Sequence, residues 1–165
     1  MGRRIGLVGV VFSMMLVGCS SGDPLAVQLS HDQGPGDQPF TASGIAVDEG
    51  VICSSGTMTS VRLESLEGDQ ITEGDWADIF DGAMEAGGVA EMNVTQEWTC
   101  SDASGSFTIM HHNRFDFATF EFGGQQDVGS WEIIGGSDSY SDLAGAGDVI
   151  LDLDAEKVLH DGDVE

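Results

Sequence analysis

The chain has 165 residues, of which 29 are acidic and 5 are Lys or Arg, so its net charge is -24 at pH 7. Hydrophobic residues make up 41% of the sequence, which is enough for one folded domain with its own core and excludes a wholly disordered chain. Binding to nucleic acid is excluded as well, because it needs a basic surface and only Arg62, Arg114 and Lys157 lie beyond residue 18.

The first residues have the features of an export signal. Arg3 and Arg4 precede an uncharged apolar run at residues 5–17. This run is too short to cross about 30 Å of hydrocarbon as a helix, but it has the length of a signal-peptide core. The sequence therefore predicts a protein that leaves the cytoplasm.

The apolar run ends in Leu-Val-Gly-Cys at residues 16–19, which resembles the lipobox of bacterial lipoprotein signal peptides. In that family the signal peptidase cuts before the cysteine, and the thiol carries a diacylglyceryl group. The resemblance implies that residues 1–18 are removed and that Cys19 is lipidated, so that a membrane of the cell envelope holds the protein outside the cytoplasm. An ordinary secretory signal with an incidental cysteine is the alternative, and the protein would then be secreted.

Residues 19–39 are expected to form a flexible tether between this anchor and the fold. They contain all three prolines together with Gly, Ser, Asp and Gln, and they show little apolar periodicity. His31 lies in this segment, and we expect it to be a solvated linker residue.

The acidic residues are spread along the whole chain, which favours a solvated acidic surface over cation binding. Such a surface is tolerable in salty media, where charges are screened over about 8 Å or less, and it repels anionic phospholipid. Calcium binding stays open as an alternative, although the EF-hand order of ligands is absent. Its candidate ligands are eight carboxylates in one stretch: Glu64, Glu67, Asp69, Glu73, Asp75, Asp78, Asp81 and Glu85.

Two cysteines remain once Cys19 is assigned to the lipid, namely Cys53 and Cys100. An exported protein meets an oxidising compartment, so we expect these two to form a disulfide. Two buried thiols or half of a metal site are the alternatives. No CxxC or Cys-His spacing supports a metal, and the sequence predicts neither a metal nor a cofactor.

Alternating apolar and polar residues predict a series of short strands. They lie near residues 40–47, 51–53, 57–63, 92–100, 107–117, 118–122, 131–134 and 149–153, with Gly135 and Gly136 ending the seventh. Seven or eight strands with Gly-rich turns indicate a small closed antiparallel β-barrel or a sandwich. We expect a mainly β barrel of about eight strands over residues 40–153, followed by an acidic tail at residues 154–165.

One stretch, at residues 64–88, follows a helical period instead. Apolar side chains recur there on one helix face: Trp76, Ile79, Phe80, Ala83 and Met84. Thr-Glu-Gly-Asp at residues 72–75 has the form of a capping box, and Gly87 provides a stop. The pattern predicts a helix over residues 73–86 that covers one side or end of the sheet.

Three segments together resemble small bacterial secreted β-barrel proteins: residues 39–57, 98–107 and 131–147. The last is similar to the strand–GG[ST]xx[YF]xxLxGxG element of allene oxide cyclase-like and dirigent-like barrels. The resemblance implies a barrel in which Tyr140 and Leu143 plug one end, while Gly145 and Gly147 allow the chain to re-enter a crowded crossing. It assigns no catalytic residue, because no catalytic motif of either enzyme family is matched.

His111 and His112 are the only adjacent histidines, and strand neighbours face opposite sides, so the two cannot bind one ion together. If the odd-numbered positions face inward, His111 and Asn113 point into the barrel near Gln96. Three neutral polar groups in an apolar interior would suit a small polar ligand or ordered water. A buried histidine satisfied by its neighbours is the simpler alternative.

No motif for nucleophilic catalysis, phosphate binding or dinucleotide binding is present. The sequence therefore favours a non-enzymatic binding module at the cell surface, with a small apolar or weakly polar molecule as a possible ligand. One alternative is a cyclase-like enzyme in which a wall group such as His111 polarises a hydrophobic small molecule. The other is a calcium-binding envelope protein.

Overall fold

Buried and exposed side chains alternate along the long strands of the protein, and this alternation separates the inside of a barrel from its outside. The computed structural model describes residues 23–34 and 36–165, and its eight antiparallel strands form one closed barrel. The predicted mainly β, eight-stranded barrel is thus confirmed. The strands are β1 (Leu25–Asp32), β2 (Gln38–Ser43), β3 (Ser55–Glu64), β4 (Val89–Cys100), β5 (Ser106–Asp116), β6 (Gln125–Gly136), β7 (Gly145–Asp152) and β8 (Lys157–Val164).

The first strand corrects the prediction of a flexible tether at residues 19–39. β1 pairs with β8 along its whole length, from Leu25 opposite Val164 to Asp32 opposite Lys157. Its inward-facing side chains, which include His31, are buried, so His31 is not a solvated linker residue. The turn-forming residues around this strand hid its alternating pattern.

The last strand corrects the prediction of an acidic tail at residues 154–165. β8 pairs with both β1 and β7. His160 and Val164 face inward, whereas Asp161 and Asp163 are exposed. The high content of acidic residues here reflects one wet face of a strand, because alternate positions of a strand point to opposite sides.

Three further details differ from the prediction. Residues 118–122 form a turn rather than a strand, because the Asp116 carboxylate accepts a hydrogen bond from the Ala118 amide and the Asp116 carbonyl accepts one from the Phe120 amide. β6 continues through Gly135 and Gly136, which were expected to break it. A short helix, α1 (Ile45–Asp48), replaces the end of the first predicted strand.

The predicted helix is confirmed as α2 (Glu73–Ala86). Thr72 and Asp75 form the predicted capping box, and Gly87 ends the helix in the left-handed conformation. Trp76 and Phe80 pack against Phe115, an inward-facing residue of β5, with ring centroids 5.9 and 5.1 Å away, so the helix lies at one end of the barrel. This contact holds the start of α2 beside the ends of β3 and β5.

The two ends of the barrel differ in how they are filled. The end where β1, β3, β5 and β7 begin, here called the closed end, contains the predicted disulfide between Cys53 and Cys100. Tyr140 is buried there against Phe107, and its hydroxyl lies 2.7 Å from the Ser104 hydroxyl. The opposite end, where these four strands finish, is here called the open end.

The predicted signal peptide at residues 1–18 and the predicted lipidation site at Cys19 lie outside the described residues. Among the residues that are described, no helix is both long and apolar enough to cross a membrane.

Two neighbouring glycines at the closed end, Gly135 and Gly136, should differ in how much a substitution changes stability. A Cβ on Gly136 would lie 2.1 Å from the Tyr140 carbonyl oxygen, whereas a Cβ on Gly135 would meet nothing within 4 Å. We expect Gly136→Ala to lower the free energy of unfolding by about 1–3 kcal/mol, because backbone must move. Gly135→Ala should leave it unchanged or slightly higher. Urea denaturation of both variants measures the difference, and equal effects would contradict the assigned plug.

Candidate functional site

The interior of the barrel changes from apolar to polar towards the open end. Among the described residues, five polar side chains are at least nine-tenths buried, with exposed fractions of 4%, 5%, 2%, 9% and 0%. In that order they are His31, Gln96, His111, Asn113 and His160. Burying polar groups costs free energy unless they find hydrogen-bond partners, so their partners decide what this region can do.

The strand register places three of these groups on one wall. In the pairing of β4 with β5, Met92 lies opposite Asn113 and Val94 lies opposite His111. Gln96 is the next inward-facing residue of β4 after Val94. The structure thus puts His111, Asn113 and Gln96 on the inner face, near one another.

A cavity of about 460 Å³ opens beside these residues at the open end. Its floor includes His31, Gln96, His111 and Asn113. Apolar side chains line its walls: Leu63, Trp76, Met92, Val94, Leu151 and Val158. Exposed residues lie at its rim: Gln33, Gly34, Ser60 and Glu73. The cavity is therefore an apolar cleft with polar groups at its buried end.

His31 has a defined tautomer. Its Nδ1 lies 2.7 Å from the backbone carbonyl oxygen of Asp32. A carbonyl oxygen only accepts hydrogen bonds, so Nδ1 carries the proton and donates it. In the neutral ring, Nε2 is then a bare acceptor, and this atom is buried without a partner.

The other two buried histidines pair with each other. The Nε2 atoms of His111 and His160 are 3.0 Å apart, so one ring donates its proton to the other. Trp98 packs edge-on to His160 with ring centroids 5.1 Å apart, and it also contacts His31 at 5.6 Å. His31 also contacts His160, with ring centroids 5.5 Å apart, so the three imidazoles form one group, here called the histidine cluster.

Several buried polar atoms around the cluster have no hydrogen-bond partner. Three of them belong to residues that line the cavity: His31 Nε2, Gln96 Oε1 and Asn113 Oδ1. Two others, Trp98 Nε1 and His160 Nδ1, belong to residues outside the lining. Each unsatisfied buried group costs about 1–3 kcal/mol, so these atoms lower the stability of this region of the barrel.

Burial keeps the histidine cluster uncharged at neutral pH. Burial lowers the pKa of His111 to about 3, and nearby His31 adds to the lowering. Burial, with a contribution from His111, lowers the pKa of His160 well below 6.5. Burial also lowers the pKa of His31, although the Asp32 carbonyl and carboxylate oppose the shift. All three rings therefore act as neutral hydrogen-bonding groups.

The cluster is not arranged as a metal centre. Within residues 23–34 and 36–165, no group of three or more His, Cys, Asp or Glu side chains is placed to hold a metal ion. The short separation of His111 and His160 is accounted for by their mutual hydrogen bond.

The sequence predicted three of the five buried polar side chains of this site. The period of β5 places His111 and Asn113 inward, and Gln96 joins them from β4. The sequence does not predict His31 and His160 as site residues, because the predicted tether includes β1 and the predicted acidic tail includes β8. A signal was present in β1, where Leu25, Val27, Leu29 and His31 alternate.

The chain matches no protein-family model, no curated protein and no solved structure. The function proposed below accordingly rests on the residues of the chain itself.

The buried histidines should make the free energy of unfolding depend on pH. His111 has a native pKa of about 3, whereas an exposed histidine in the unfolded chain titrates near 6.5. Between these values the unfolded chain binds the proton and the native state does not, so the free energy of unfolding falls as the pH drops below about 6.5 and the loss levels off near pH 3. For His111 alone we expect a loss of about 2 kcal/mol between pH 6.5 and pH 5.

Urea unfolding at pH 7 and pH 5 measures this loss in the native sequence and in two variants. His111→Gln should show a weaker pH dependence, because one buried titrating group is removed. His112→Gln alters the exposed neighbour on the outer face and should keep the native dependence. The same pH dependence in all three proteins would refute the assignment to the buried ring.

Proposed function

We propose that this protein is a non-enzymatic binding module whose open end takes up a small, largely apolar molecule with hydrogen-bonding groups. The observation that carries the proposal is the cavity of about 460 Å³ at the open end, where an apolar wall meets four buried polar side chains: His31, Gln96, His111 and Asn113. A ligand can hydrogen-bond to polar groups of this lining while its apolar part lies against the wall.

The size of the cavity supports the proposal. Pockets for small molecules have volumes of roughly 300–1,000 Å³ and are mostly apolar with a few placed polar groups. A volume of about 460 Å³ with an apolar wall and a polar floor falls within that description. Such a site suits a ligand whose apolar body lies against the wall and whose polar group reaches the floor.

The electrostatics favour binding over catalysis. A general base works best with a pKa near the operating pH, whereas burial holds the pKa of His111 at about 3. Among the described residues, no carboxylate hydrogen-bonds to His31, His111 or His160; their partners are a backbone carbonyl and one another. These rings orient a ligand more readily than they move protons.

Blocking the cavity tests the proposal. Val94 lies on the cavity wall and Thr95 is the next residue on the outer side of β4, so Val94→Trp fills the cavity and Thr95→Trp is its matched control. In a panel of neutral fragments of about six to ten heavy atoms, observed by ligand-detected NMR, we expect saturable binding to the native protein and to Thr95→Trp, with at least a tenfold loss in Val94→Trp.

Two results would overturn the binding proposal. One is a panel without any saturable binder, and the other is equal binding to Val94→Trp and to the native protein. Conversion of a bound fragment that disappears in His111→Ala would instead support the cyclase-like alternative.

We also propose that the protein is exported and anchored through Cys19. The resemblance of residues 16–19 to a lipobox supports this, and the disulfide between Cys53 and Cys100 suits an oxidising compartment. β1 begins at Leu25 at the closed end, so the chain from Cys19 to the barrel spans at most about 20 Å. The open end would then lie at the far side of the barrel from the attachment point.

Fatty-acid labelling in a bacterial host tests the anchor. We expect the native chain to incorporate an alkyne fatty acid and to fractionate with membranes, while Cys19→Ala loses both properties. Ser20→Ala, the neighbouring change, should keep both. Labelling that persists in Cys19→Ala, or that is missing from the native chain, would show that the lipobox resemblance does not extend to function.

A further inference from the structure

We propose that the cavity at the open end takes up an uncharged carbonyl compound. Its carbonyl oxygen accepts a hydrogen bond from an amide N–H of Gln96 or Asn113, while its apolar body lies against the wall. This inference rests on the proposed binding function and adds the chemistry of the ligand's polar end.

The two side-chain amides of the lining present N–H donors to the cavity. Gln96 and Asn113 line the cavity and are 5% and 9% exposed, and their amide oxygens are buried without a partner. Their amide nitrogens are not buried in this way and have no hydrogen bond to another described residue. The polar surface that each amide presents is therefore its NH₂ group, which donates hydrogen bonds and is complementary to a carbonyl oxygen.

The two donors lie at different depths of the barrel. Asn113 lies opposite Met92 in the pairing of β5 with β4. Gln96 is further along β4 than Met92, towards the closed end, by about 14 Å of strand. Val94 lies between these two positions and lines the wall. A small ligand therefore places its carbonyl group at one amide while its apolar body contacts the wall between them.

The charge of the lining favours a ligand without a charge. Glu73 is the one charged side chain among the residues that line this cavity, and it is exposed at the rim. An ion of either sign would leave water for a floor that holds no opposite charge, which costs free energy. Glu73 also repels a carboxylate or a phosphate at the mouth.

The histidines at the floor do not favour the opposite chemistry. His31 Nε2 is an acceptor, but it is buried, so a ligand in the cavity does not contact it. Either ring can be the donor in the hydrogen bond between His111 and His160, so the other nitrogen of His111 serves a donor or an acceptor equally. The preference of the cavity therefore depends on the two amides.

Three uncharged bicyclic compounds of similar size test the polar end of the ligand. Indan-1-one only accepts hydrogen bonds, indole only donates one, and indane does neither. We expect indan-1-one to bind about fivefold to tenfold more tightly than indole or indane, which is the effect of one hydrogen bond. Calorimetry and chemical-shift titration at pH 7 measure the affinities. Equal affinities of indan-1-one and indole would show that the amides rotate to serve donors as well, and would overturn the inference.

Two ions with the same bicyclic body test the charge. We expect indan-1-ylammonium and indane-1-carboxylate each to bind more weakly than indan-1-one, because neither finds an opposite charge at the floor. An ion that binds as tightly as indan-1-one, in a manner that Val94→Trp blocks, would overturn the inference.

Substitutions of similar size test the donors themselves. Gln96→Met and Asn113→Leu remove the N–H groups, and Asn93→Leu makes a matched change on the outer face, where Asn93 Oδ1 lies 3.1 Å from His112 Nδ1. We expect the preference for indan-1-one over indane to fall in one single variant, to vanish in the double variant, and to persist in Asn93→Leu. A full preference in the double variant would refute the assignment to the amides.

The side-chain NH₂ signals of the native protein give a readout that does not depend on how the double variant folds. They are assigned by their loss in Gln96→Met and in Asn113→Leu. We expect the protons of one amide to move to higher frequency at saturation with indan-1-one and not with indane, because a carbonyl acceptor deshields the N–H proton. Saturation by indan-1-one without such a shift would contradict the proposed contact.

The two proposals fail in different ways. If none of these compounds binds in a manner that Val94→Trp blocks, the binding function itself is wrong. If indane binds in the cavity and indan-1-one binds no more tightly, the binding function stands and the preference for a carbonyl compound is wrong.

Discussion

The pairing of β1 with β8 is the constraint on which the rest of this structure depends. It joins the two ends of the described chain over eight residue pairs and leaves the sheet without an open edge. It also brings His31 from β1 and His160 from β8 into the same interior as His111. Without this pairing there would be neither a histidine cluster nor a floor to the cavity.

The two ends of the barrel differ: the closed end is well filled and stabilises the fold, and the open end contains the cavity. At the closed end, the disulfide and the buried Tyr140 fill the interior with covalent and apolar contacts. At the open end, α2 holds Trp76 beside the mouth, and several buried polar atoms below it lack partners. The well-filled closed end offsets the cost of these unsatisfied atoms.

The acidic surface and the uncharged interior both follow from the alternation of outward-facing and inward-facing side chains along each strand. In β8, Asp161 and Asp163 are exposed while His160 is fully buried. The carboxylates thus stay in water, where their mutual repulsion is screened, and the imidazoles stay uncharged because burial lowers the pKa of each.

The amino-acid sequence by itself determined the local features: the α2 helix with its Thr72 capping box, the inward positions of His111 and Asn113, and the pairing of Cys53 with Cys100. These depend on neighbours a few residues away or on an even count of thiols. Only the tertiary structure decided that β1 and β8 are strands and that His31, His111 and His160 meet. β1 and β8 pair with each other across more than a hundred residues of chain, and no local pattern shows which distant strands close a barrel or which inward-facing side chains meet inside it.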